Sequence, residues 1–175
     1  MKGSTHLIGG LIAYFLYLIV TTSLFSLSAF LVAMLFALLP DIDTPRSTIS
    51  NISPVTQTIS KKINIIAGHR GPLHSLFFRS VITLLLRYLY ASSYIEYTVF
   101  IAGSLGYLSH LILDAFTPRG IPFFWPMVDK SYTICKRRGL RSSLCVKTGS
   151  TKEDAVAILM TFILFFLAGV YLGIY

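Results

Sequence analysis

The chain has 175 residues, of which 54% are apolar and 13% charged, and a mean hydropathy of +0.72. Soluble domains carry about 25% charged residues, so an ordinary soluble enzyme is excluded, and the wealth of Leu, Ile, Val and Phe excludes disorder. The formal net charge is +8; the pattern points to a small polytopic membrane protein.

Residues 3–40 contain no Lys, Arg, Asp or Glu. Crossing about 30 Å of hydrocarbon takes roughly 20 apolar residues, with about 17 as a lower limit. This stretch therefore holds two short spans, at 7–20 and 24–39, separated by the polar Thr21-Thr22-Ser23 and stopped by Pro40, which cannot continue a helical ladder. A third apolar run follows Gly71-Pro72 and lasts to Tyr90, with Arg79 and Arg87 inside it. Arg87 is expected to snorkel and Arg79 to face the bundle interior or a wet cavity, the alternative being a half-buried interfacial helix. A fourth run covers 97–113 and a fifth 155–175, where Tyr171 and Tyr175 are expected as interfacial anchors. Lys2 before an apolar run imitates a signal peptide, but no small-residue cleavage site closes it, and a retained hairpin is expected. The predicted fold is all-α, a polytopic membrane bundle of about five transmembrane helices. Residues 1–126 form a membrane-embedded core of four helices, 127–154 a basic cytoplasmic loop, and 155–175 a C-terminal transmembrane helix.

Orientation follows from basic residues in the short loops. Lys2 precedes the first span; Arg46, Lys61, Lys62 and Arg70 lie between the second and third; eight more lie between the fourth and fifth. Thirteen of the fifteen basic residues thus fall on one side. That places the N-terminus and both long loops in the cytoplasm of a multi-pass inner or plasma membrane protein. Cys135 and Cys145, ten residues apart, are then expected to be free thiols in a reducing compartment.

The same topology gathers the polar residues. His6 opens the first span, Asp41 and Asp43 follow the second, His69 and His74 precede the third, and His110 and Asp114 end the fourth. All seven reach one membrane level. Imidazole and carboxylate are ligands for zinc and related divalent ions, and ionisable groups in membrane segments are costly unless paired. His110 and Asp114, four apart, share one helix face. Asp41-Ile42-Asp43, flanked by Pro40 and Pro45, suits an extended or turn conformation. Each residue alone has a plain structural explanation, as a helix stop, an interfacial polar group or a helix-pairing hydrogen bond. Their common level favours a metal site with His6, Asp41, Asp43, His69, His74, His110 and Asp114 as candidate ligands.

Four ordered blocks carry a resemblance. Thr5-His6 with Gly9-Gly10 comes first, then Leu39-Pro40-Asp41-Ile42-Asp43, then Gly68-His69-Arg70-Gly71-Pro72-Leu73-His74-Ser75. The last is Ser109-His110-Leu111-Ile112-Leu113-Asp114 with Thr117-Pro118-Arg119-Gly120. Over roughly two thirds of the chain this series resembles the YdjM-like family, described as membrane-bound, metal-dependent hydrolases. That family is in turn distantly similar to the zinc-dependent phospholipase C and single-strand nuclease superfamily, where a helical HxxxD or HxxxE element supplies ligands to a multinuclear zinc site. The superfamily's N-terminal tryptophan ligand has no counterpart here; the single tryptophan is Trp125.

The resemblance implies a hydrolase that cleaves a phosphate ester or phosphodiester of a lipid-like substrate at the cytoplasmic membrane face. Two or more divalent ions, zinc or alternatively manganese, would activate water. Asp43 is then a ligand or a partner that fixes a histidine tautomer, and Arg70 and Arg119 are candidate phosphate clamps. The expected partners are membrane lipid and the phosphoester substrate, not nucleic acid. Rival readings are a proton or divalent-cation transporter or channel using the same residues, and a non-catalytic membrane protein with a structural metal site. A phosphohistidine lipid phosphatase is disfavoured because Ser104 stands where an Arg would precede the HxxxD element. A membrane adaptor built on the basic run around Lys136-Arg137-Arg138 and Arg141 is disfavoured because positive-inside bias already explains that run.

Overall fold

The computed structural model describes residues 1–67, 71–128, 130–135 and 145–174. Of the expected site residues, His69 and Arg70 lie outside these, as does the basic run 136–144. Among the described residues the fold is all-helical, with one isolated β-bridge between Ile121 and Tyr132. The helices are α1 (Gly3–Thr21), α2 (Leu27–Leu38), α3 (Pro54–Ala67), α4 (Leu76–Ala91), α5 (Tyr97–Ala115) and α6 (Thr151–Tyr171). Short 3₁₀ turns, Leu39–Asp43 and Pro72–His74, precede α3 and α4.

The uncharged N-terminal stretch forms a hairpin as its pattern predicts. Thr22 ends α1 in the left-handed region at φ 51°, and Ser26 caps α2 by accepting from the Ala29 N–H. Tyr14, fully buried, locks the turn: its hydroxyl donates to the Ser26 carbonyl at 3.0 Å and accepts from the Ser26 N–H at 2.9 Å. Central α5 packs on α1, α2 and α4, while α6 lies along α1. Lipid tails supply no hydrophobic drive between helices, so close backbone approach through small residues takes its place. A β-carbon on Gly106 would lie 2.4 Å from the Ala33 carbonyl oxygen, and one on Gly10 would lie 2.9 Å from the same atom. Both α1 and α5 therefore press against α2 at one point.

Among the described residues three helices are long and apolar enough to cross a membrane: α1, α5 and α6. The expected second and third spans are shorter. At 12 residues α2 is roughly 18 Å long, and at 16 residues α4 is roughly 24 Å, both below the hydrocarbon thickness. The second run shortens because Ser26 sets its start and the 39–43 turn takes over its last residues. Little of α6 is buried, and its Ile158, Phe162 and Phe165 are exposed, as a lipid-facing helix requires. It begins at Thr151 and not at 155. Ser150 accepts from the Glu153 N–H, an N-cap that draws Lys152, Glu153 and Asp154 into the first turn, while the Glu153 carboxylate accepts from Gly149 and not from Ser150. At its far end the Tyr171 hydroxyl donates to the Ser23 carbonyl at 3.3 Å.

Two further features depart from the sequence reading. The segment after the 39–43 turn contains α3, whose periodic Val55, Ile59 and Ile63 and leading Pro54 were a legible helix signal. The cysteines are not free thiols: Cys135 and Cys145 form a disulfide with Cα atoms 5.2 Å apart. The cause is backbone pairing. Ile134 donates to the Ala115 carbonyl at 2.9 Å and Val146 to that of Phe116 at 3.0 Å, which brings both cysteines to the end of α5.

Candidate metal centre

The first turn of α1, the last turns of α2 and α5, and the two 3₁₀ turns meet at one end of the bundle. Glu153 ties the start of α6 to the same place. Fully buried, it accepts from the Lys2 N–H, from the Gly149 N–H at 2.6 Å and from the Thr5 hydroxyl at 3.4 Å. One turn later α1 presents His6. Sequence reading passed over Glu153, although the Ser150-x-x-Glu153 pattern was its visible signal.

His6, His74, His110, Asp43 and Asp114 are completely buried. Two groups of ligand atoms converge, His6 with His110 and Asp114, and Asp41 with His74 and His110. They share His110. His6 Nε2 lies 3.4 Å from Asp114 Oδ1; His74 Nε2 lies 3.6 Å from Asp41 Oδ1 and 3.7 Å from Asp114 Oδ2. His110 Nε2 is 3.2 Å from His74 Nε2, 3.8 Å from Asp41 Oδ1 and 3.9 Å from Asp114 Oδ2. The His6 and His110 rings stack at 3.7 Å. The chain's α-amino group also reaches the cluster, 2.7 Å from Asp114 Oδ1, a contact that no side-chain motif could announce.

Two groups outside the triads aim the rings. Asp43 Oδ2 lies 3.2 Å from His74 Nδ1, so Nε2 turns inward. His110 donates through Nδ1 to the Ala37 carbonyl at 2.7 Å, which leaves its Nε2 lone pair facing the cluster. That carbonyl is among the last four of α2, which have no partner within the helix. The supports are themselves held. Tyr107 donates to the Leu73 carbonyl, anchoring the His74 turn to α5, and Asn64 of α3 donates to the Asp43 carbonyl at 2.8 Å. Burial opposes the His74 imidazolium, but Asp41 and Asp43 outweigh it and raise its pKa to about 9. Burial likewise pushes the Asp41 carboxyl up, and the neighbouring His74, His110 and His6 rings bring it down to about 2.

The donor set fits a divalent cation. Nitrogen and oxygen ligands at about 2.1 Å in a tetrahedron stand about 3.4 Å apart, close to the separations above. Both ring nitrogens of His6 are buried without a hydrogen-bond partner, a state costing roughly 1–3 kcal/mol per group unless something satisfies it. Buried His and Asp clusters in this protein could thus hold a metal ion.

The model of the YdjM inner membrane protein family matches residues 1–174. The chain belongs to the YdjM family. It is 32% identical to uncharacterized protein YvsG of Bacillus subtilis (strain 168) over 165 residues, covering 89% of this chain and 87% of that protein. It is 40% identical over 96 residues to inner membrane protein YdjM of Escherichia coli (strain K12), covering 54% of this chain and 47% of that protein. The match thus spans about half the length of the Escherichia coli protein. No solved structure matches. With its apolar, outward-facing helices, this YdjM-family chain is a membrane protein.

Proposed function

We propose that this protein is a metal-dependent hydrolase that cleaves a phosphate ester or phosphodiester of a lipid-like substrate at the membrane surface. The observation that carries the reading is the placement of the two buried triads beside an open, basic cleft. Asp41 is the one triad member with side-chain exposure, 15%, and it lines a cleft of about 780 Å³ to which Arg119 also contributes. Divalent ions bound by His6, His110 and Asp114 and by Asp41 and His74 would supply Lewis acidity and a water poised for attack. The chain's own residues do the rest. Asp43 and the Ala37 carbonyl hold two imidazoles in the ligand tautomer, the closed helix ends keep bulk water from the inner triad, and Arg119 offers a guanidinium to phosphate.

The cluster sits at one end of the bundle, which favours hydrolysis over conduction, since a conduction path needs sites across the bilayer. The distribution of basic residues assigns that end to the cytoplasm, whereas a disulfide favours an oxidising compartment. Thirteen charges outweigh one crosslink, and a C-terminal phosphatase fusion, active only outside the cell, tests the assignment. Val55, Ile59 and Ile65 of α3 are exposed, as they would be on a helix lying along a lipid surface.

The primary test is elemental mass spectrometry of protein purified without chelator, beside His110→Ala and Asp114→Ala. About two zinc or manganese ions per chain are expected, lost in folded variants, with metal-dependent release of product from phospholipid or phosphodiester substrates. Metal retention without any hydrolysis would leave a structural site. Absence of metal after zinc and manganese are added back would overturn the reading.

A further inference from the structure

We propose that the cleft beside the cluster is a recognition site for a phosphorylated polyol headgroup, with Arg46 and Lys147 as its specificity residues. Three segments far apart in sequence each bring a cation to this cleft: Arg46 after the 39–43 turn, Arg119 after α5, and Lys147 before α6. All three are exposed, and none has an ion-pair partner among the described residues. Lys2, at the same rim, differs, because Asp154 holds its ammonium at 2.5 Å. Like charges converging on a concave wall repel one another, and their summed potential attracts an anion into the cleft. Among the described residues Asp41 is the one carboxylate in the lining, and it lies against His74 of the cluster.

The remaining polar lining is hydroxyl: Thr44, Ser47, Thr48, Thr117 and Thr148. Thr44 and Thr117 already donate to Asp43 Oδ1 at 2.9 Å and to the Asp114 carbonyl at 2.7 Å, so the exposed Thr48 and Thr148 are the hydroxyls that can donate to phosphate oxygens and exchange hydrogen bonds with sugar or glycerol hydroxyls, which a purely cationic patch cannot do. The volume of about 780 Å³ is far more than one phosphate fills and lies within the range of small-molecule sites, about 300–1,000 Å³. The cleft opens where α1 and α6 begin and α5 ends, the level at which apolar helix surface gives way to polar loops. Chemistry and depth together select an anionic headgroup of the phosphoglycerol or phosphosugar type over a zwitterionic one. The assignment rests on the hydrolase reading for the fate of the headgroup, not for its binding.

The test reconstitutes the purified full chain, as isolated, into phosphatidylcholine nanodiscs carrying a trace of photo-crosslinkable phosphatidylglycerol or phosphatidylcholine and measures the crosslinked lipid, with glycerol phosphate as soluble competitor. Product release is followed in the same samples. The wild type is expected to prefer phosphatidylglycerol by tenfold or more. Arg46→Gln and Lys147→Gln should each cut that preference about tenfold, Arg46→Lys should restore part of it, and the double variant Lys61→Gln/Lys62→Gln, away from the cleft, should leave it intact. Competition by glycerol phosphate would identify the free polyol phosphate as sufficient ligand; no competition would identify the bilayer-held headgroup. Equal labelling by both lipids, or equal loss in the Lys61/Lys62 variant, overturns the proposal. Preference without product release removes the hydrolase reading and leaves this one standing; release without preference does the reverse.

Discussion

His74 meets Asp43 through Nδ1 at 3.2 Å, and His110 donates through Nδ1 to the Ala37 carbonyl, so both rings turn Nε2 toward Asp41 and Asp114. Partners of this kind set tautomer and orientation, and their loss costs metal affinity by about 10- to 100-fold. Asp43→Asn is expected to lower zinc affinity within that range while the helical circular dichroism is unchanged; titration against a competing chelator measures it. Glu153 does a different job. Replacing it with Ala removes the charged acceptor of the partly buried Lys2 and Gly149 N–H groups and is expected to destabilise the protein by about 1–3 kcal/mol. Thermal unfolding in detergent should register this, and an unchanged midpoint would mean that water takes over both donors.

Among the elements, α2 is too short to span about 30 Å, yet it positions the site, because its last turn supplies the carbonyl that orients His110. That role depends on how closely α5 approaches. Gly106→Ala would drive a methyl against the Ala33 carbonyl, 2.4 Å away in the present packing, and should cost about 1–3 kcal/mol through overpacking. Since the shift separates α2 from α5, bound metal should fall along with stability, whereas Glu153→Ala should affect stability first. Measuring both quantities on both variants separates the two roles. α3 is the element that a search for spans overlooks. Its Val55, Ile59 and Ile63 spacing is helical, but a 14-residue amphipathic segment carrying Lys61 and Lys62 does not register as a crossing.

For the whole molecule, a metal held by this cluster would couple to the fold, because the candidate ligands come from α1, the two 3₁₀ turns and α5. A cation that binds only the folded chain stabilises it by mass action. Stripping the wild type with chelator should therefore lower its unfolding midpoint, and zinc should restore it; Asp114→Ala should start lower and respond to neither. A wild type indifferent to chelator and zinc would mean that the Met1, Asp41 and Asp114 contacts already neutralise the cluster.

The membrane class, the apolar runs, the uncharged hairpin and the four His/Asp blocks were set by the sequence by itself. Hydropathy is a property of composition along the chain, and ligand chemistry is a property of residue type. The Lys and Arg pattern also located one polar end, at which the described structure gathers His6, Asp41, Asp43, His74, His110 and Asp114. The tertiary structure alone decided which nitrogen of each ring faces inward, that Glu153 and the α-amino group join the site, that Arg46, Arg119 and Lys147 share one cleft, and that Cys135 meets Cys145. Each of these depends on the relative placement of segments, up to 151 residues apart for Lys2 and Glu153. Such placement is fixed by packing, as where Gly10 and Gly106 close on Ala33, and not by local periodicity.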